Sequence, residues 1–202
     1  MRIAVISDVH GNLAALEAVL ADIATRGVNL VVNLGDALSG PLLPVECANR
    51  VIPLELPTIR GNHERQLVTL NPEELGPSDR YTMSCLGLDH RRWIAGLPEL
   101  LWPHPDVLMV HGTPRSDVEY WLETVDEAGL HPASMEEILS RMGTTRAGLI
   151  LCGHTHLPRS VCLADGRMIV NPGSVGLPAY QDEHPFPHKV QTGSPHALYA
   201  IV

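Results

Sequence analysis

The chain has 202 residues, of which 45% are hydrophobic and 18% charged, and its formal net charge is −9. This composition is typical of a globular chain and excludes a disordered one. The acidic balance, without any basic stripe, argues against constitutive binding to duplex nucleic acid. The length predicts one domain over residues 1–202, and no apolar run is long enough to cross a membrane.

The cysteines indicate a reducing compartment. Cys47, Cys85, Cys152 and Cys162 form no CxxC pair and show no spacing typical of secreted scaffolds. The apolar run at the N-terminus is too short for a signal peptide. We therefore expect a cytoplasmic protein with free thiols.

The first third of the chain predicts alternating strands and helices. The predicted elements are a strand Ile3–Ile6, a helix Leu13–Arg26 between Asn12 and Gly27, a strand Leu30–Leu34, a helix Pro44–Val51, a short strand Pro57–Arg60 and a helix Glu64–Leu70. The first three predict a β-α-β unit with parallel strands and a right-handed crossover.

The rest of the chain is predicted to be mostly β-structure, and it ends in a strand. They are a helix Asp79–Ala95 with Gly87 as a weak point, strands Val107–Val110 and Leu149–Cys152, a hairpin of Ser160–Ala164 and Met168–Asn171, and a last strand near Ala197–Val202. The segment Gln181–Pro195 is rich in Pro, Gly and His and predicts a mobile loop. Its two histidines, His184 and His188, are interpreted as solvated.

Polar clusters follow directly after the predicted apolar strands. They are Asp8 with His10, Asp36, Asn62 with His63 and Glu64, His111, and His154 with His156. In open α/β sheets, ligands bind beyond the carboxyl ends of the strands. We therefore expect these side chains to converge on one place.

The residue types in these clusters suit metal ions. Oxygen ligands would come from Asp8, Asp36 and Asn62, and nitrogen ligands from His10, His111, His154 and His156. A mixed set favours Mn, Fe, Ni, Co or Zn over Ca and Mg. The set is larger than one ion needs, and an extended His-Thr-His segment would put the two rings on one side, with their backbone positions roughly 6.6 Å apart. That spacing suits two divalent ions, with Mn²⁺ as the first expectation.

Each residue alone has a simpler interpretation. Asp8 could cap a helix, Asp36 and Asn62 could belong to turns, and His10 or His111 could be an ordinary histidine; their joint occurrence favours the metal site. Glu64 is expected to support the first turn of its helix. Alternatives stay open for Asn171–Ser174, which either lines the site or forms a plain turn, and for Tyr120 and Trp121, which either stack on a nucleobase or pack in the core.

The ordered motifs D-x-H, G-D, G-N-H-[DE], H and G-H-x-H closely resemble those of the calcineurin-like metallophosphoesterase superfamily. The S-D-x-H-G-N start at Ser7 and the N-P-G-S segment at Asn171 resemble its small single-domain prokaryotic phosphodiesterase branch. The resemblance implies a four-layer αββα sandwich of two mixed β-sheets flanked by helices. Residues 113–147 and 179–195 contain none of the motifs of this superfamily.

The resemblance also implies roles for the candidate residues. Asp8, His10, Asp36 and His156 would hold one ion, while Asp36, Asn62, His111 and His154 would hold the other. His63 would be a catalytic residue that contacts the phosphate and assists the leaving group without binding metal. A hydroxide bridging the ions would attack phosphorus in line.

The expected activity is hydrolysis of a small phosphodiester, such as a cyclic nucleotide or a nucleotide-derived diester. A phosphomonoesterase or protein phosphatase is the alternative within the enzyme class, and a metal-binding scaffold with little catalytic activity is the alternative outside it. A metallo-β-lactamase-like hydrolase would need an H-x-H-x-D-H run, which the sequence lacks. Apolar faces of the loops are compatible with a homodimer.

Overall fold

A computed structural model describes residues 1–202 and divides the strands between two main sheets and two hairpins. The first sheet contains β1 (Ile3–Ile6), β2 (Leu30–Asn33) and β12 (Ala200–Ile201), with β1 in the middle. Strand β1 runs parallel to β2, as predicted for the β-α-β unit, and antiparallel to β12. The predicted strand Pro57–Arg60 is reduced to an isolated bridge between Thr58 and Asn33.

The second sheet has five strands and is also mixed. In spatial order these are β3 (Leu100–His104), β4 (Val107–Val110), β7 (Leu149–Leu151), β9 (Met168–Asn171) and β8 (Arg159–Cys162). The three central strands are parallel to one another, and the two edge strands are antiparallel to their neighbours.

Six α-helices and two hairpins complete the chain. The helices are α1 (Leu13–Ala24), α2 (Pro44–Val51, followed by a 3-10 turn at Ile52–Leu54), α3 (Asn62–Thr69), α4 (Pro77–Cys85), α5 (Leu88–Gly96) and α6 (Met135–Arg141). The hairpins pair β5 (Glu123–Asp126) with β6 (Gly129–Pro132), and β10 (Ala179–Asp182) with β11 (His188–Gln191). No helix is both long and apolar enough to span a membrane.

Strand alternation divides the core into three layers of apolar contact. Val5, Leu34, Met109 and Leu151 pack between the two sheets. On the far side of the first sheet, helices α1, α2, α3 and α5 supply a second cluster, and on the far side of the second sheet α6 packs with Trp121 in a third. The layers agree with the expected sandwich, although the outer layer on the second sheet holds a single helix.

Two predictions about local structure were wrong. The predicted helix Asp79–Ala95 is two helices that break at Leu86 and Gly87, where Leu86 is extended. The predicted mobile loop Gln181–Pro195 contains most of the β10–β11 hairpin. Within it His188 is only 7% exposed, so its interpretation as a solvated residue was also wrong.

Candidate metal centre

The predicted ligands gather at the carboxyl ends of β1, β2, β4 and β7. Each follows one of these strands or begins α3, and all except His154 are buried. Two groups stand out because their potential ligand atoms lie within 4.8 Å of one another: Asp8, His10 and His156 in the first, and Asp36, His111 and His154 in the second.

The first group is close-packed around the Asp8 carboxylate. The Oδ1 atom of Asp8 lies 3.2 Å from His156 Nε2 and 3.9 Å from His10 Nε2. The two imidazole Nε2 atoms are 3.2 Å apart. Asp8 has no exposed surface, and its Oδ1 atom has no hydrogen-bond partner. A buried carboxylate oxygen facing imidazole nitrogens in this way suits a cation.

Asn62 lies beside the second group and adds an oxygen atom to it. The Nε2 atom of His111 lies 3.1 Å from Asp36 Oδ2 and 3.0 Å from Asn62 Oδ1. It is also 4.0 Å from Asp8 Oδ1. The two groups therefore adjoin each other, and the oxygen and nitrogen donors of both fit a pair of neighbouring divalent ions.

Backbone carbonyls set the orientation of the histidine rings. The Nδ1 atoms of His10, His111 and His156 each lie 2.7 Å from a carbonyl oxygen, of Ser39, Leu34 and Leu177 respectively. Because a carbonyl only accepts, each Nδ1 carries a proton, and Nε2 is the ring nitrogen that faces the centre. His154 is reversed: its Nε2 donates to Val118 O at 3.1 Å, so its Nδ1 is the free ligand atom.

Five of the six non-glycine residues with positive φ are predicted ligands. They are Asp8, His10, Asp36, His154 and His156, with φ between 48° and 69°. Left-handed backbone costs about 1–3 kcal/mol per residue and concentrates at functional sites. Its concentration here marks these loops as functional on grounds independent of residue type.

The carboxylates and histidines of the centre shift one another's pKa values, and a bound cation would change these shifts. Burial raises the pKa of Asp8, but the neighbouring His156 and His111 outweigh that effect and lower it to about 2. Burial lowers the pKa of His111, but Asp36 and Asp8 raise it to about 10. The buried carboxylates thus favour positive charge in the centre, and a divalent ion would supply it.

Glu64 does more than support its helix. Its carboxylate accepts from the backbone N–H groups of Asp36 at 2.7 Å, Ala37 at 2.8 Å and Gly61 at 3.1 Å. Glu64 itself is fully buried. It therefore ties the loop after β2 to the start of α3 and holds Asp36 near Asn62.

His63 stands at the edge of the centre. Its backbone N–H donates to Asp36 Oδ1 at 3.0 Å, and its ring packs edge-on to His10 with centroids 5.3 Å apart. Its Nδ1 lies 2.8 Å from Asp79 Oδ1, which also accepts from the Ser39 hydroxyl. Burial lowers the pKa of His63, but Asp36 and Asp79 raise it to about 9. Asp79 was missed by the sequence reasoning, because it lies in α4 outside every motif.

The Asn171–Ser174 segment braces the ligand loops. The Asn171 amide donates to Gly153 O at 2.8 Å and to Thr155 Oγ1 at 3.0 Å, between the two histidines of the G-H-T-H motif. The Ser174 hydroxyl donates to Asp8 O at 2.7 Å. The segment is therefore part of the site rather than a plain turn.

Tyr120 and Trp121 are neighbours in the sequence but lie in different environments. Trp121 is 1% exposed and its Nε1–H donates to Ile138 O at 3.0 Å, so it belongs to the core. Tyr120 packs edge-on against His154 with centroids 5.1 Å apart. Its hydroxyl lies 2.6 Å from the Tyr180 hydroxyl and 3.1 Å from His188 Nε2, so the β10–β11 hairpin is joined to the metal centre. Sequence reasoning had assigned neither Tyr180 nor His188 to the site.

Comparison with known proteins identifies the family. A model of the calcineurin-like phosphoesterase superfamily domain matches residues 1–191. The chain belongs to this superfamily. As a calcineurin-like phosphoesterase it is a hydrolase of a metal-dependent family, and its two groups of candidate ligands agree with that requirement.

Relatives of this calcineurin-like phosphoesterase occur in bacteria and archaea. The crystal structure of a metallophosphoesterase from Sphaerobacter thermophilus is 31% identical, covers 100% of this chain and 83% of that one, and has a TM-score of 0.73. An uncharacterized protein of Methanocaldococcus jannaschii is 28% identical, with 87% of this chain and 76% of that protein covered. The fold also resembles that of Yfce, a phosphoesterase from E. coli, at 20% identity, a TM-score of 0.54 and coverage of 100% and 87%.

Proposed function

We propose that this chain is a phosphodiesterase that works with two divalent ions, and that residues 1–202 act as one domain. The adjoining groups around Asp8 and Asp36 carry the proposal, because both carboxylates are buried and Asp8 Oδ1 has no partner. Asp8, His10, Asp36 and His156 would hold one ion, and Asp36, Asn62, His111 and His154 the other. The mixed oxygen and nitrogen set favours Mn²⁺.

When bound, the ions would supply a water of lowered pKa and positive charge next to the phosphate. The residues of the chain would hold the two ions and so orient the water and the phosphate. In the hydrolysis, the water gives up a proton to solvent as its oxygen bonds to phosphorus, the bond from phosphorus to the alcohol oxygen breaks, and the alcohol oxygen takes up a proton. His63 is placed to donate this proton from Nε2, because Asp79 fixes its Nδ1.

A cavity beside the metal centre offers space for the alcohol group of an organic phosphate ester. This side cleft has a volume of about 510 Å³, and its wall includes Asn62 and His154, two proposed ligands of the second ion. A phosphate bound between the ions would have space for a substituent there. An organic ester of phosphate fills this space with its alcohol group, whereas inorganic phosphate leaves it empty.

The test is hydrolysis of bis-p-nitrophenyl phosphate and p-nitrophenyl phosphate with added Mn²⁺. We expect turnover of the diester, and loss of that turnover with a chelator or in Asp36→Asn. Activity that survives both would overturn the two-ion mechanism. His63→Ala should bind Mn²⁺ as the wild type does and lose most turnover. If wild type and His63→Ala are equally inert on a broad ester panel, the scaffold interpretation is supported instead.

A further inference from the structure

We infer that the side cleft receives the leaving alcohol of the substrate and selects an uncharged, ring-bearing alcohol, such as a nucleoside, over one that carries further phosphates. This inference rests on the proposed function and specifies its substrate class. The cleft lies between the segment Val118–Val125 and the β10–β11 hairpin, and opens beside the second group of ligands.

The size of the side cleft suits a nucleoside-sized group. Small-molecule sites in proteins usually enclose about 300–1,000 Å³, and the side cleft has about 510 Å³. Because Asn62 and His154 form part of its wall, a phosphate held by the second ion would direct one of its substituents into this space.

The charges of the side cleft disfavour a second phosphate. Three carboxylates line it, those of Glu119, Glu123 and Asp182. Glu123 is 4% exposed, and its Oε2 atom has no hydrogen-bond partner, so it remains an acceptor for a hydroxyl or N–H group. An additional phosphate in the cleft would face these carboxylates, and like charges in close contact oppose binding.

The one arginine of the side cleft is already engaged. The guanidinium of Arg141 donates to Trp121 O at 3.1 Å, Glu123 O at 2.9 Å and Thr124 Oγ1 at 2.8 Å. A separate cavity near His111 is lined by three arginines: Arg60 and Arg65 are paired with Glu99 and Asp117 at 2.6 Å and 2.5 Å, and Arg115 donates to Ser140 O at 2.9 Å.

Tyr120 gives the side cleft a fixed aromatic surface. Its hydroxyl is held by Tyr180 and His188, and its ring packs edge-on against His154. Val118 and Pro185 add apolar surface to the same cleft. Stacking of a base on an aromatic ring stabilises binding and tolerates any base, since every base has a flat face.

The first experiment uses three deoxydinucleotide probes with Mn²⁺. The parent probe is the dinucleoside monophosphate of deoxyadenosine, and the others carry one extra phosphate at the 5′ end or at the 3′ end. Because one nucleoside enters the cleft and the other stays outside, we expect one phosphorylated isomer to show a kcat/KM about tenfold below that of the parent. Asp182→Asn and Glu119→Gln should reduce this difference, while Glu127→Gln, at the exposed β5–β6 turn, should leave it unchanged.

The second experiment tests the aromatic surface. Tyr120→Ala should raise the ratio of the KM of the parent probe to the inhibition constant of inorganic phosphate about tenfold, because inorganic phosphate has no ring to stack. Tyr120→Phe should keep the wild-type ratio, because it retains the ring.

The outcomes separate the two proposals. If both phosphorylated probes are hydrolysed as well as the parent, or if no dinucleotide is hydrolysed while bis-p-nitrophenyl phosphate is, the inference is wrong and the proposed function stands. If no diester of any kind is hydrolysed, both fail.

Discussion

Replacing Glu64 by Gln tests how the Asp36 loop is held. In the folded chain, Oε2 of Glu64 accepts from the backbone N–H groups of Asp36 and Gly61, and Oε1 accepts from those of Ala37 and Leu38. A glutamine has one carbonyl oxygen and one NH₂ group, so in either orientation the NH₂ group faces two backbone donors. Two buried N–H groups would therefore lose their acceptor.

The expected loss follows from these contacts. A buried donor left unsatisfied costs about 1–3 kcal/mol, so the two together lower the free energy of unfolding by about 2–6 kcal/mol. The Asp36 loop would also lose its attachment to α3. Residues that orient ligands typically change metal affinity by about 10–100-fold, and we expect Mn²⁺ binding to weaken by that factor.

Two measurements check this prediction. Urea unfolding in the presence of a chelator, followed by tryptophan fluorescence, gives the change in stability, and calorimetric titration with Mn²⁺ gives the change in affinity. Glu73→Gln, an exposed carboxylate on the same stretch of chain, is the matched control and should stay within about 0.5 kcal/mol of wild type. A Glu64→Gln variant with wild-type stability and wild-type Mn²⁺ affinity would refute the assigned role.

Further changes should have effects of predictable size. Mn²⁺ at 100 times its Kd should stabilise the wild type by about 2.7 kcal/mol for each bound ion and raise its Tm by about 5–10 °C per ion, with a smaller shift in Asp36→Asn when both are followed by differential scanning fluorimetry. Gly61→Ala should weaken Mn²⁺ binding measured by calorimetry, because its Cβ would lie 2.6 Å from the Asp36 backbone nitrogen; Gly96→Ala, whose Cβ would meet nothing within 4 Å, is the control. Trp121→Phe should lower the free energy of urea unfolding by about 1–3 kcal/mol, since it leaves a buried carbonyl of α6 without its donor. Ser134→Ala removes the N-cap of α6 and should lower the same quantity by about 1 kcal/mol; an unchanged midpoint would contradict the capping role.

The buried centre of the fold could be predicted from the sequence because its strands have a simple signature. Strands such as Ile3–Ile6 and Val107–Val110 are buried on both faces, so they appear as continuous apolar runs. The same runs end at the metal-site motifs, and this position at the strand ends is enough to predict that the candidate ligands lie together.

The outer strands could not be predicted in this way. Strand β3 alternates between exposed and half-buried residues and contains Pro103, and β10 is mostly exposed. The β10–β11 hairpin is joined to the rest of the chain by contacts of Tyr180 and His188 with Tyr120, about sixty residues earlier in sequence. Such long-range contacts leave no local pattern. The same reason explains why Asp79 was missed: only the packing of α4 brings it to His63.

The ligand loops are held mainly by one another, and this arrangement explains how strained residues can persist there. Asp8 N–H donates to Gly35 O, and His10 N–H donates to Asp36 O, so the loop after β1 rests on the loop after β2. Gly153 N–H likewise donates to His111 O, which joins the loops after β7 and β4. Each left-handed residue costs about 1–3 kcal/mol, and the shared hydrogen bonds offset part of that cost.

Two consequences follow from this mutual support. Backbone hydrogen bonds join the ligand loops to one another, so we expect Mn²⁺ binding to bury little additional apolar surface and to show a small change in heat capacity. Substitutions in different loops should also couple: Ser174→Ala, which removes a bond to Asp8 O, and Glu64→Gln act on neighbouring loops of one network. Their combined effect on Mn²⁺ affinity should therefore differ from the sum of the separate effects, as measured by a double-mutant cycle. Strict additivity would mean that the loops are held independently, and the shared hydrogen bonds could then not be what maintains the strained ligands.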